Sequence, residues 1–178
     1  MSNIVAIVGR PNVGKSTLFN RLLERREAIV DSTAGVTRDR HYGKSDWNGV
    51  DFTVIDTGGY DVGSDDIFEE EIRKQVQLAV DEATSIIFMV NVEEGLQDID
   101  HEIYNLLRKA NKPLYLVVNK VDSAKEMLAA TEFYQLGVEK YYTLSSATGS
   151  GTGELLDDLV ADFPTTEYKD PFEGLPKI

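Results

Sequence analysis

Ile4-Val5-Ala6-Ile7-Val8-Gly9-Arg10-Pro11-Asn12-Val13-Gly14-Lys15-Ser16-Thr17-Leu18-Phe19-Asn20-Arg21-Leu22 begins at the fourth residue of a 178-residue chain. The first five residues are apolar and mostly β-branched, which reads as a strand covered on both faces. Leu18, Phe19, Leu22 and Leu23 recur at helical spacing and predict a helix over Ser16–Arg25. Between strand and helix, Gly9 to Ser16 fits G-x-x-x-x-G-K-[ST]. Gly9 and Gly14 let the backbone turn tightly, so that successive N–H groups face one point. The helix N-terminus adds positive potential there. Such a nest takes phosphate, with Lys15 reaching β- and γ-phosphates and the Ser16 hydroxyl ligating Mg²⁺. A plain Gly-rich strand-to-helix turn is the bland alternative.

Three more apolar runs read as buried strands: Phe52–Ile55, Ile86–Val90 and Leu114–Val118. Helical patterns lie between and after them, over Ile67–Glu82, Asp98–Arg108, Ala124–Leu136 and Glu154–Phe163. Asn48-Gly49 is a strong hairpin signal, so Arg40–Asp46 is expected as an edge strand antiparallel to Val50–Ile55. A short last strand is expected near Tyr141–Leu144. The alternation predicts a three-layer α/β fold whose six-stranded sheet is mostly parallel, with one antiparallel edge strand. Residues 1–165 form the expected domain. Pro164, Pro171 and Pro176 among acidic residues mark 166–178 as a linker toward a further domain.

Two further motifs follow predicted strands. Asp56-Thr57-Gly58-Gly59 comes after Phe52–Ile55. A carboxylate at the carboxyl end of a parallel strand reaches a metal beside the phosphate loop. Asp56 would hold Mg²⁺ through water, and the Gly59 N–H would meet the γ-phosphate. Asn119-Lys120-Val121-Asp122 comes after Leu114–Val118. Guanine offers N1–H and an N2 amine to one carboxylate, and Asp122 is the matching bidentate acceptor. Adenine lacks that donor pair and would leave the carboxylate unpaired. Asn119 would bond N7 and tie loops together, and the Lys120 stem would cover the base. Each motif alone also reads as a common turn. Their order, each at a strand end, makes the nucleotide reading.

Composition sets limits. Net charge is -13, from 18 basic and 31 acidic residues, which opposes direct binding of nucleic acid or an anionic membrane by this chain. There is no cysteine, so disulfides and thiol catalysis are excluded. The two histidines, His41 and His101, exclude a multi-histidine metal centre. No apolar run has the length of a membrane span, and the expected compartment is the cytoplasm.

Taken together the motifs resemble those of translation-factor-class GTPases. The run from Gly9 to Leu22, with Ala34-Gly35-Val36-Thr37-Arg38-Asp39-Arg40, Asp56-Thr57-Gly58-Gly59 and Asn119-Lys120-Val121-Asp122, is similar to the first GTPase domain of the bacterial EngA/Der family. The resemblance implies a P-loop GTPase fold and a GTP-hydrolysing switch acting in assembly of the large ribosomal subunit. It implies a second GTPase domain and a KH-like domain, which would carry any RNA contacts. It assigns Thr37 to Mg²⁺ and the γ-phosphate, and Ser145-Ser146-Ala147 to a backbone contact with the guanine O6. Ser146 stands where the family has alanine.

Many GTPases place a glutamine after DxxG to orient water. Here Tyr60 stands there, a phenol unable to donate and accept at the same reach, so slow hydrolysis is expected. In related GTPases, asparagine at the place of Asn12 helps hold K⁺ beside the α- and γ-phosphates. Such an ion supplies charge otherwise given by an arginine. A regulatory module that holds guanine nucleotide with negligible turnover is the alternative expectation. An ATP-driven enzyme is disfavoured by Asp122.

Overall fold

The computed structural model describes residues 3–11, 13–27, 42–58, 65–145 and 148–163. Six strands form one sheet: β1 (Ile4–Val8), β2 (Tyr42–Trp47), β3 (Val50–Asp56), β4 (Ser85–Asn91), β5 (Leu114–Asn119) and β6 (Tyr142–Thr143). The helices are α1 (Lys15–Glu27), α2 (Asp65–Glu82), α3 (Asp98–Arg108), α4 (Ala124–Ala129) and α5 (Thr152–Ala161). The strand order is β2-β3-β1-β4-β5-β6, and only the β2–β3 pair is antiparallel. The expected three-layer α/β sheet is borne out.

Strand alternation distributes the core. Ala6 and Val8 face the side covered by α2 and α3, with Ile72, Val76, Ile103 and Leu107. Val5 and Ile7 face the side covered by α1 and α5, with Leu18, Leu22, Leu155 and Leu159. Both faces of the central strands are therefore apolar, which is why they read as unbroken hydrophobic runs. The hairpin turn has Asn48 at φ 53 and Gly49 at φ 79. Two consecutive positive φ angles match the twist of the flanking strands, as the Asn-Gly pair predicts. The Trp47 indole donates to Asp157 at 2.8 Å and fastens the hairpin to α5.

One expected helix divides. Ala124–Leu136 was read as continuous, but α4 ends at Ala129 and Ala130–Leu136 is a 3-10 helix. Within α4 no residue is buried, whereas Ala130, Phe133 and Leu136 are buried at intervals of three. Three residues per turn stacks that triplet on one edge, so burial favours the tighter winding. Gly137 then ends the segment in the left-handed region at φ 93. The last strand is shorter than expected, Tyr142–Thr143.

Topology places the site. The chain leaves β1 for the β2–β3 side of the sheet, then returns past β1 to build β4. A crevice opens at such a switch point, outside the carboxyl ends of the strands. Register puts Ile7 beside Asp56 and Asn91 beside Asn119 at that end.

Candidate functional site

The loop from Gly9 to Ser16 leaves β1 at the switch point. A side chain at Gly9 would put Cβ 2.7 Å from the Met89 carbonyl oxygen and 3.1 Å from Val13 Cγ2. The loop thus passes so close to β4 that only glycine fits. Gly14 turns the chain into α1 at φ 106. Val13 is buried and anchors the loop in the core shared with α1, while Pro11 is half-buried. Lys15 is buried, and its Nζ donates to the carbonyls of Gly9 (2.8 Å) and Arg10 (2.9 Å). An ammonium is thereby held across the mouth of its own loop. Ser16 and Thr17 are exposed at the start of α1.

Asp56 ends β3 and is buried, with Oδ1 accepting from the Gly58 N–H at 3.2 Å. Thr57 turns back into the sheet, and its hydroxyl lies 2.7 Å from the Ile7 carbonyl and 3.1 Å from Gln75 Oε1. Gln75 of α2 is 2% exposed and also accepts from the Gly9 N–H at 3.2 Å. It joins the phosphate loop to the loop after β3. Sequence reasoning missed it; the available signal was a glutamine flanked by the apolar stripe Ile72-Val76-Ala79.

Asn119 closes the third side. Its Nδ2 donates 2.7 Å to the Val13 carbonyl, buried, across 106 residues of chain. Its own carbonyl accepts from the Val92 N–H at 3.1 Å. Lys120 adopts φ 67, and its Nζ lies 3.8 Å from Glu93. Val121 is buried and Asp122 is exposed. The Asp122 N–H donates to Glu126 Oε1 at 2.8 Å, and the Ser123 hydroxyl donates to the same oxygen at 3.1 Å. Asp122 stands on the wall of an open cleft of about 570 Å³ with Met127, Leu128 and Ser150. Ser145 is buried beside this cleft, its N–H donating to the Ser150 carbonyl at 2.9 Å.

Arg10 belongs to the loop by its main chain only. Its guanidinium is buried against the β4–α3 segment and the first turn of α3, where Nε donates to Asp100 Oδ1 at 3.0 Å and Nη1 pairs with Glu94. Burial pushes the Asp100 carboxyl above its ordinary value, against the Gln97 N–H and Arg10. Burial also opposes the Arg10 charge, but Glu94 and Asp100 outweigh it and raise that group above its ordinary value. Asn12, Thr37, Gly59, Tyr60, Ser146 and Ala147 lie outside the described residues, as do His41 and the linker 166–178.

Ser16 and Asp56 offer one hydroxyl and one carboxylate, the hard oxygen donors that Mg²⁺ prefers. Among the described residues no group of three or more His, Cys, Asp or Glu could hold a metal.

The model of a family described as 50S ribosome-binding GTPase matches residues 4–120. The chain belongs to this family. The matched residues are the GTPase domain of that family. The chain is 63% identical over 178 residues to GTPase Der of Christiangramia forsetii, covering the whole of this chain and 41% of that protein. The chain thus spans about two fifths of the length of the curated relatives it matches. The resemblance to the first GTPase domain of the Der family is borne out by these relatives. Among solved structures, Era of Aquifex aeolicus bound to GDP·AlF4⁻ superposes with TM-score 0.69 at 32% identity, over 92% of this chain and 57% of that one. Era in complex with MgGDPNP and part of 16S ribosomal RNA gives TM-score 0.69 at 31% identity, over 99% and 59%. The three-layer fold read from the motifs is therefore that of a P-loop GTPase. Among the described residues no helix of this GTPase domain is long and apolar enough to cross a membrane.

Proposed function

We propose that the chain is the GTP-operated switch of a longer ribosome-assembly GTPase, binding GTP with Mg²⁺ and cleaving the γ-phosphate slowly. The observation that supports this most is the Asn119 to Val13 bond of 2.7 Å, which ties a base-reading loop to a phosphate loop. Residues 1–165 are the switch domain, and 166–178 lead toward the second GTPase and KH-like domains. The large ribosomal subunit is the partner, and the cytoplasm is the compartment.

Arg10, Val13 and Gly14 supply backbone N–H groups to the phosphates; the Gly9 N–H is held by Gln75, and Pro11 shapes the loop without an N–H of its own. Lys15 Nζ, with three N–H donors, keeps the Arg10 carbonyl and turns the other two toward β- and γ-phosphate oxygens. Ser16 and Thr37, and Asp56 through water, would hold Mg²⁺, which would supply positive charge to the triphosphate. Asp122 accepts from guanine N1–H and N2, Asn119 bonds N7, and the Lys120 stem covers the ring. Ser145-Ser146-Ala147 give an N–H to O6. Water adds to the γ-phosphorus as its bond to the bridging oxygen breaks, giving GDP and phosphate. Lys15 and the loop N–H groups stabilise the charge that develops. Tyr60 leaves water unoriented, hence the slow rate. Asn12 would help hold K⁺, which would supply charge otherwise given by an arginine.

Calorimetry with Mg²⁺ tests the binding reading. Uptake of GTP and GDP with weak uptake of ATP supports it, and equal uptake of ATP rejects it. Phosphate release over several turnovers distinguishes a hydrolase from a module that only holds nucleotide. Turnover in KCl against NaCl at equal ionic strength tests the K⁺ site, and equal rates reject it.

A further inference from the structure

An arginine in a loop that cradles phosphate would ordinarily lend its charge to the anion. Arg10 does the opposite. Its side chain is 9% exposed and reaches the β4–α3 segment and the first turn of α3. Nε donates to Asp100 Oδ1 at 3.0 Å, Nη1 to Glu94, and Nη2 reaches the Gly95 carbonyl at 3.5 Å. Asp100 is fully buried, and its second oxygen accepts from the Gln97 N–H at 2.9 Å. One cation faces two carboxylates, so the cluster is a net negative charge and contributes no attraction to phosphate. Nor does it suit a purely stabilising role, because a buried ion pair gains little over apolar packing of equal volume. What it does supply is position. A planar fork bonded to two acids fixes a side chain in direction as well as distance.

The bonded partners matter here. The Arg10 carbonyl is one of the two acceptors of Lys15 Nζ, at 2.9 Å. Fixing Arg10 therefore fixes the platform from which Lys15 works. The segment that receives the fork also touches the base-reading loop. Glu93 lies 3.8 Å from Lys120 Nζ, and Val92 donates to the Asn119 carbonyl at 3.1 Å. Two adjacent glutamates thus meet the two halves of the nucleotide site.

We infer that Arg10 is a positioning residue for GTP hydrolysis, its guanidinium seated on Asp100 and Glu94 so that the first turn of the phosphate loop is braced against α3 and Lys15 is presented from a fixed platform. This rests on the reading of the loop as a triphosphate site. Loss of the brace displaces Lys15 where charge develops, so it acts on the chemical step. The guanine contacts lie on other residues and stay in place.

The test measures kcat, KM and GDP affinity for Asp100→Asn, Arg10→Lys and Glu94→Gln in the whole chain, at a temperature where each is folded. Asp100→Asn and Arg10→Lys should lower kcat by about 10-fold or more, with KM changing by less than about 3-fold and GTP preferred over ATP as before. The Asp100→Asn, Arg10→Lys double variant should be little worse than either single, since both break one brace. Glu94 is partly exposed, so Glu94→Gln keeps the fold and should lower kcat by about 3-fold. Should Asp100→Asn not fold, Arg10→Lys and Glu94→Gln decide. A lowered melting temperature with kcat unchanged in all folded variants overturns the inference. So does equal loss in KM and kcat. Absence of GTP binding by the unaltered chain would instead overturn the triphosphate reading.

Discussion

Gly58→Ala separates stability from catalysis at one methyl group. Its Cβ would stand 2.5 Å from Lys15 Cε, 2.9 Å from Gln75 Nε2 and 3.0 Å from Lys15 Nζ. Ordinary contact begins near 3.4 Å, so Cε must retreat by about 0.9 Å. Both neighbours are ends of flexible side chains, and no backbone atom stands among the three nearest. The fold therefore absorbs the change at about 1 kcal/mol or less. Function does not, because the displaced atom carries the ammonium proposed to meet the β- and γ-phosphates. A misplacement of about 1 Å costs on the order of 100-fold in rate, or about 2.7 kcal/mol of barrier. The assay pairs single-turnover phosphate release with thermal unfolding. Gly9→Ala is the control of opposite character. Its Cβ meets a backbone carbonyl at 2.7 Å, which cannot swing away, so unfolding should ease by about 1–3 kcal/mol. A Gly58→Ala protein that releases phosphate at the unaltered rate would refute the placement of Lys15 in the chemistry.

Other outcomes follow from the same geometry. Asp122→Asn should abolish the preference for GTP over ATP, since an amide cannot accept from both guanine donors; competition binding reads this directly. Asn119→Ala removes the buried bond to the Val13 carbonyl and should cost about 1–3 kcal/mol in chemical denaturation, together with nucleotide affinity. Gly151→Ala combines φ 87 with a Cβ driven into the Thr143 carbonyl oxygen, and should destabilise by about 2–4 kcal/mol by the same measurement. The Asp158 carboxyl is held below its ordinary value of 3.8 by the Tyr142 hydroxyl and then by Lys140. Its small contribution is present above that ordinary value and fades as pH falls through the depressed one. Tyr142→Phe should raise the carboxyl's NMR titration midpoint.

Asn48-Gly49, the Gly9 to Ser16 loop and the three-residue spacing of Ala130, Phe133 and Leu136 all lay open in the chain. The last was misread because apolar spacing of three also fits an α-helix, and only the absence of burial in α4 separates the two windings. Gln75 was overlooked because a single polar residue beside an apolar stripe carries no period. Arg10 belonged to a recognised motif, but the motif specifies its backbone and leaves its side chain undetermined.

The sequence alone determined features whose physics is local. A positive φ favours Gly or Asn where the turn occurs, a parallel strand buried on two faces needs a run of β-branched residues, and a phosphate nest needs its glycines within one turn. Tertiary structure decided the pairings that join these pieces. Gly9 meets Gln75 across 66 residues, Arg10 meets Asp100 across 90 and Val13 meets Asn119 across 106. Such bonds leave no periodicity in the chain. They form because β1 lies between β3 and β4, which gathers distant loops at one end of the sheet, where each buried polar group must find its partner.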